Sequence, residues 1–190
     1  VGAKALLQPI IEASEVFRST AKFSEKITAL TQAAVSMGWP LVVAYEKDAL
    51  ASKYDVIGHA GYKPRFVKAL NPIRVDQLDQ YFQSRFSIGD AFFLHEDNYK
   101  SERPWKFLPK DLTLPTSGDW DSRDILIMPV YQREEQIGLL LLGPPEHGKL
   151  PSNEMMDVID WLAAQLATII DDDRRLSEAR ELGRYNDLLM

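Results

Sequence analysis

The chain has 190 residues, 22 Lys and Arg against 28 Asp and Glu, a formal net charge of −6, and 45% hydrophobic with 26% charged residues. A globular chain of this length buries roughly 70% of its unfolded surface in one domain without staples, which excludes collagens, mucins and disordered tails. The acidic balance excludes a sequence-independent nucleic-acid binder, which needs clustered Lys and Arg, and the absence of cysteine removes disulfides, thiolate metal sites, iron–sulfur clusters, Cys nucleophiles and thioether-linked chromophores together.

Ala3, Leu6, Ile10, Ala13 and Phe17 recur at spacings of three and four, one stripe of a helix that needs a partner. Ser19 and Thr20 interrupt it. Ser24 is placed to cap a second helix, whose stripe is Phe23, Ile27, Leu30, Ala34 and Met37 and which ends near Gly38. Residues 40–45, rich in Val, and residues 54–62, containing Gly58 and Gly61, then read as neighbouring strands joined through residues 46–53. From about Asp76 a helical pattern puts Leu78, Tyr81, Phe82 and Phe86 on one side, and Ile88-Gly89-Asp90 turns the chain into a short strand over residues 91–94. Between His95 and Arg123, Pro104, Pro109, Pro115 and Gly118 break any long element, and a connection of that length inside a compact domain is usually a functional loop or lid.

Residues 124–131 and 137–142 read as a hairpin with a five-residue connection at 132–136. Ile125, Ile127 and Pro129 alternate with Leu126, Met128 and Val130, so both faces are apolar and the strands belong in the centre of a sheet covered on both sides. Ser152 or Asn153, with Glu154, starts a long helix carrying Met156, Ile159, Leu162, Ala163, Leu166 and Ile170. It runs on past the acidic residues 171–173 towards the end. No apolar run approaches the roughly 20 residues that span a bilayer, and no charged start precedes an apolar block, so the chain reads as cytoplasmic without membrane insertion. Because it begins with Val, we expect a segment of a longer polypeptide.

This order of elements describes an α/β (α+β) fold: a central antiparallel sheet, N- and C-terminal helices on one face, and the long loop with a short helix over the other, above a cavity. At this point the chain resembles a known family. Asp124-Ile-Leu-Ile-Met-Pro-Val-Tyr131, a polar turn, Gln136-Ile-Gly-Leu-Leu-Leu-Leu142, Leu150-Pro-Ser-Asn-Glu154 and Trp161-Leu-Ala-Ala-Gln-Leu-Ala-Thr-Ile-Ile170 resemble the C-terminal half of a GAF domain. The N-terminal half fits through residues 23–38, the strand at 40–45 and Gly61.

The resemblance implies a sensory module of bacterial signalling proteins, with a sensor histidine kinase as first choice of parent. Such modules dimerise through their terminal helices, which would make Leu6, Ile10, Ala13 and Phe17 a homodimer interface; amphipathic ends that pack on their own domain are the alternative. The implied division is a signalling helix at 1–19, the sensory domain at 20–171 and a linker helix at 172–190. Bilin-carrying members and the free-methionine-sulfoxide reductases use cysteines that this chain lacks, and the Asn-Lys-Phe-Asp-Glu signature of cyclic-nucleotide binders has no counterpart.

For a small-molecule pocket the candidates are Tyr45, His59, Tyr81, Phe93, His95, Trp105 and Trp120. The aromatics either line an apolar pocket or fill it. His59 stands between Gly58 and Ala60, small neighbours that let a ligand approach, or else it is a solvated strand residue. His95, followed by Glu96 and Asp97 at the mouth of the loop, is either a pocket residue, an axial haem ligand or an exposed loop histidine. Arg103, Lys106 and Arg123 either meet an anionic group or are surface charges. His59, His95 and His147 are too far apart for a local metal motif, so no metal is expected, and no phosphate loop, nucleophile elbow or His–carboxylate pattern argues for catalysis. The expected function is ligand-controlled regulation without enzymatic activity; the alternatives are a ligand-free dimerisation scaffold and a haem-type redox or gas sensor.

Overall fold

The computed structural model of the chain describes residues 3–68, 70–98, 120, 121, 123–145 and 152–188, with side chains from residue 8 to residue 184. The two N-terminal stripes form α1 (Ala3–Arg18) and α2 (Phe23–Ser36). The cap of α2 is not Ser24 as expected. Lys22 is the capping residue, and its backbone N–H donates to Glu25 Oε2 at 2.8 Å, so a carboxylate from the first turn satisfies an orphan donor at the positive end of the helix.

Seven strands build one antiparallel sheet in the order β3-β2-β1-β7-β6-β5-β4. They are β1 (Val42–Asp48), β2 (Lys53–Ala60), β3 (Ile73–Arg74), β4 (Ser87–Ile88), β5 (Ala91–Leu94), β6 (Ile125–Gln132) and β7 (Glu135–Leu142). β6 and β7 are interior strands, and residues 125–130 and 137–142 are buried, as the doubly apolar pattern required. Their connection is shorter than expected. Gln132 still pairs with Glu135, which leaves a turn at Arg133 and Glu134 with Arg133 at φ 56°. A tight turn with positive φ follows the twist of the sheet better than an open loop does, so the polar residues extend the strands.

The sheet separates two apolar layers. On one face Val42, Ala44, Leu126, Met128, Leu140 and Leu142 meet α1, α2 and α5 (Asn153–Leu188). On the other, Val43, Tyr45, Ile127, Leu139 and Leu141 meet residues contributed by the segment 62–86, which holds α3 (Pro64–Val67) and α4 (Val75–Asp79). The helix expected from Asp76 to Phe86 is therefore only five residues long. Tyr81 must reach Phe86 (6.4 Å between rings) and Phe82 must reach Phe92 (5.1 Å), and turns place these rings where a continuing helix would not. Among the described residues this segment supplies the cover of that face; residues 99–119, with Arg103, Trp105 and Lys106, lie outside the described residues, as does His147.

Helix α5 is capped by Ser152, whose Oγ accepts the Met155 N–H at 3.3 Å, and it runs 36 residues. Its acidic residues do not break it. Asp171 Oδ2 accepts from Gln132 Nε2 at 3.1 Å and pairs with Arg175 Nη2 at 2.8 Å. From Arg175 to Arg184 every residue is exposed, including Leu176 and Leu182. None of the described helices is long and apolar enough to cross a membrane.

Candidate functional site

Strand alternation decides which candidate residues meet. Tyr45 pairs with Leu139 and His59 with Val43, which places both on the face away from the terminal helices, together with Tyr81. Phe93 pairs with Leu126 and points the other way, to the helix layer, where Trp120 also lies. The single pocket expected from the sequence is thus two groups on opposite sides of the sheet. Trp105 lies outside the described residues.

On the first face Tyr45 is fully buried beside a bulge between Ala44 and Tyr45, and burial raises its phenol well above the ordinary tyrosine value. Tyr62 is raised for the same reason, with Tyr45 adding to it, and its ring meets His59 edge-on at 6.1 Å. Tyr54, absent from the sequence-based candidates, is also fully buried, and its hydroxyl has no hydrogen-bond partner among the described residues. The small residue beside His59 serves packing. A Cβ at Gly58 would come within 2.2 Å of Ile27 Cγ2, so Gly58 makes room for α2 and not for a ligand.

The second group gathers at the base of the connection between β5 and β6. The Trp120 ring lies 4.6 Å from Phe93 and 5.9 Å from Trp39, both edge-on, and the indole N–H groups of Trp39 and Trp120 are buried without a partner among the described residues. His95, one residue past β5, stands between two carboxylates: Nδ1 is 3.3 Å from Asp124 Oδ1 and Nε2 is 3.4 Å from Asp121 Oδ2. Asp124 is wholly buried, and its oxygens accept the backbone N–H groups of Glu96 (3.0 Å) and Asp121 (2.8 Å). Burial pushes its carboxyl above the usual range, opposed by these two N–H groups and by His95. The sequence reading missed Asp121 and Asp124 because their partner lies more than 25 positions away; the available signal was an acid directly before a fully apolar strand.

The four residues expected at a dimer interface lie in α1. Ala13 is buried in the chain's own core, Ile10 and Phe17 pack against that core, and Phe17 meets Trp161 at 6.1 Å. The side chain of Leu6 is outside the described residues. Ile10, Ala13 and Phe17 thus find apolar partners within the chain's own core.

A curled antiparallel sheet with terminal helices on one face and short helical segments over the other is the GAF fold, and this chain has it. No family model and no curated protein matches the chain. Solved structures do. The GAF domain of a phosphoenolpyruvate-protein phosphotransferase from Acinetobacter superposes with a TM-score of 0.64 at 16% identity, over 92% of this chain and 97% of that one. The phycoerythrobilin-bound GAF domain of a cyanobacterial phytochrome gives a TM-score of 0.62 at 13% identity, over 93% of this chain and 100% of the other. A GAF domain assigned to a sensor histidine kinase of Pseudomonas syringae pv. tomato gives 0.57 at 16% identity, over 93% of each chain. At such identities what is shared is the fold.

Proposed function

We propose that this chain is a regulatory sensory domain of a larger signalling protein, with a bacterial sensor histidine kinase as the first choice of parent, and that α5 carries its output. The observation that supports this reading is the division of α5. Its first half closes the core through Ile159, Leu162, Leu166 and Ile170, whereas every residue from 175 to 184 is exposed. A helix that is rigidly part of a core at one end and free of it at the other transmits small displacements of the sheet to whatever follows. We assign 172–190 to that linker and 20–171 to the sensory unit, and we read the chain as regulatory and not catalytic.

In this reading a small molecule binds the face holding Tyr45, Tyr54, His59 and Tyr62, where phenol and imidazole groups interrupt an apolar surface. A ligand acts only through a difference in affinity for two arrangements of the terminal helices. Besides the α1 stripe of Leu6, Ile10, Ala13 and Phe17, the exposed Leu176 and Leu182 offer a homodimer contact on α5. A ligand-free scaffold is the second reading, favoured by the complete burial of Tyr45, Tyr54, Ile73 and Leu78 on that face. The haem reading takes His95, or failing that His59, as axial ligand and expects a Soret band that alanine at that position abolishes.

Native mass spectrometry with an absorbance spectrum, on protein purified gently from its expression host, tests these readings. A retained mass supports the sensor; a clean apo dimer supports the scaffold. Light scattering on Leu176→Asp and Leu182→Asp tests the dimer contact, and an unchanged mass sinks it.

A further inference from the structure

The base of the connection between β5 and β6 lies apart from the proposed ligand face and carries a site of its own. We propose that His95, Asp121 and Asp124 bind a divalent transition-metal cation of the zinc class. One donor atom from each lies within 4.8 Å of the other two. His95 Nδ1 and Asp124 Oδ1 are 3.3 Å apart. That is the edge of a tetrahedron whose centre is about 2.0 Å from its corners, the usual zinc–nitrogen and zinc–oxygen distance.

The contact is not a hydrogen bond. Nδ1 is buried and has no hydrogen-bond partner among the described residues, although it lies beside a carboxylate oxygen. A buried ring nitrogen without a partner is costly, and a cation shared with the carboxylate removes that cost. Asp124 is already oriented for the role, its two oxygens fixed by the backbone N–H groups of Glu96 and Asp121. Donors of this kind behind a ligating carboxylate hold it in place and tune it. Asp121 has an exposed side chain with the rotational freedom to close on the ion. Arg123 is drawn to Glu96 Oε1 at 3.6 Å.

One imidazole with two carboxylates is a borderline donor set. It favours zinc and its neighbours over magnesium and calcium, which take oxygen ligands. Three protein ligands also leave a fourth position for water or a further donor. The ion would join the residue that follows β5 to the residue that precedes β6, and so fasten both ends of the connection at its neck. Binding energy from such a clamp adds to the stability of the fold.

Titration calorimetry of zinc sulfate into the EDTA-treated 190-residue chain, with thermal unfolding in parallel, tests the site. We expect one saturable event, a raised Tm with zinc and no comparable rise with magnesium chloride. Asp121→Asn should weaken binding by more than about tenfold, since even loss of a partner behind a ligand costs that much. Its exposed position keeps the metal-free Tm near that of the parent chain, so a loss of binding is not a loss of fold. His95→Gln should abolish the same event. Absence of saturable zinc binding, an equal response to magnesium, or undiminished binding in either variant overturns the assignment.

Discussion

Arg174 Nε donates to Glu46 Oε1 at 2.8 Å, and Arg174 Nη2 donates to the Lys47 carbonyl at 2.8 Å, which ties α5 to β1 at the point where the helix leaves the core. The two side chains are 35% and 28% exposed, so water screens the pair. Arg174→Ala should therefore cost about 0.5–1 kcal/mol, the upper part of the range for exposed pairs. The larger effect should be local: amide exchange in residues 175–184 should quicken while the core strands stay protected. Unchanged exchange there would mean that the tie does not hold the helix.

Two glycines should respond to alanine with opposite signs. A Cβ at Gly138 would lie 2.5 Å from the Tyr45 carbonyl oxygen and 3.2 Å from Ile170 Cδ1, so β1 and α5 both close over that position. Backbone cannot step aside as a side chain can, and Gly138→Ala should destabilise by about 1–3 kcal/mol, the usual cost of overpacking. A Cβ at Gly183 would meet no other part of the described chain within 4 Å, and Gly183 sits in the exposed part of α5. Gly183→Ala should favour the helix there by up to about 1 kcal/mol. Denaturant midpoints check the first, and helical circular dichroism with local amide exchange checks the second.

The Ile-Gly pair that marked the sequence as GAF-like thus has a packing cause, and it shows why some of the fold was legible. β6 and β7 announce themselves because alternation, apolarity on both faces and a polar turn agree. α5 is legible from its cap and stripe, and its acidic residues stay helical because Gln132 and Arg175 reach Asp171. The segment 75–86 was misleading: its aromatic spacing suits a helix, but rings from β5 and from the segment itself compete for the same residues and win. The face of Phe93 could not be read, since Phe92 and Phe93 alternate and only pairing with β6 decides between them. The cluster of His95, Asp121 and Asp124 is a product of that same pairing, which brings distant positions together and leaves no local spacing to find.

Tyr54→Phe probes the face away from the terminal helices. The Tyr54 hydroxyl is buried without a partner among the described residues, and burial raises its phenol, with the charge of Asp79 and then Tyr131 adding to the effect. A buried polar group left unpaired costs about 1–3 kcal/mol, so removing the oxygen while keeping the ring should stabilise the unliganded chain by about 1 kcal/mol. A small-molecule partner for that hydroxyl reverses the sign: the variant would then lose stability relative to protein purified with its ligand. Thermal unfolding of gently purified and of extensively dialysed protein separates the two cases.

Asp160 gives the fold a titration that can be followed. It lines an open groove of about 580 Å³ with Asp90, Arg133 and Tyr131, and its Oδ1 is buried without a hydrogen-bond partner among the described residues. Burial raises its carboxyl above the ordinary value, and the charges of Asp90 and Asp157 push it further. A raised folded-state pKa means that the native chain holds its proton more tightly than the unfolded chain does, so stability falls as pH rises through that value. The penalty is fully present at neutral pH and absent below the unfolded value of about 3.9. Asp160→Asn should therefore unfold at a higher temperature than the parent chain at pH 7, and the gap should close as the pH is lowered towards 4. A gap that stays constant across that range would show that the asparagine acts through packing and not through charge.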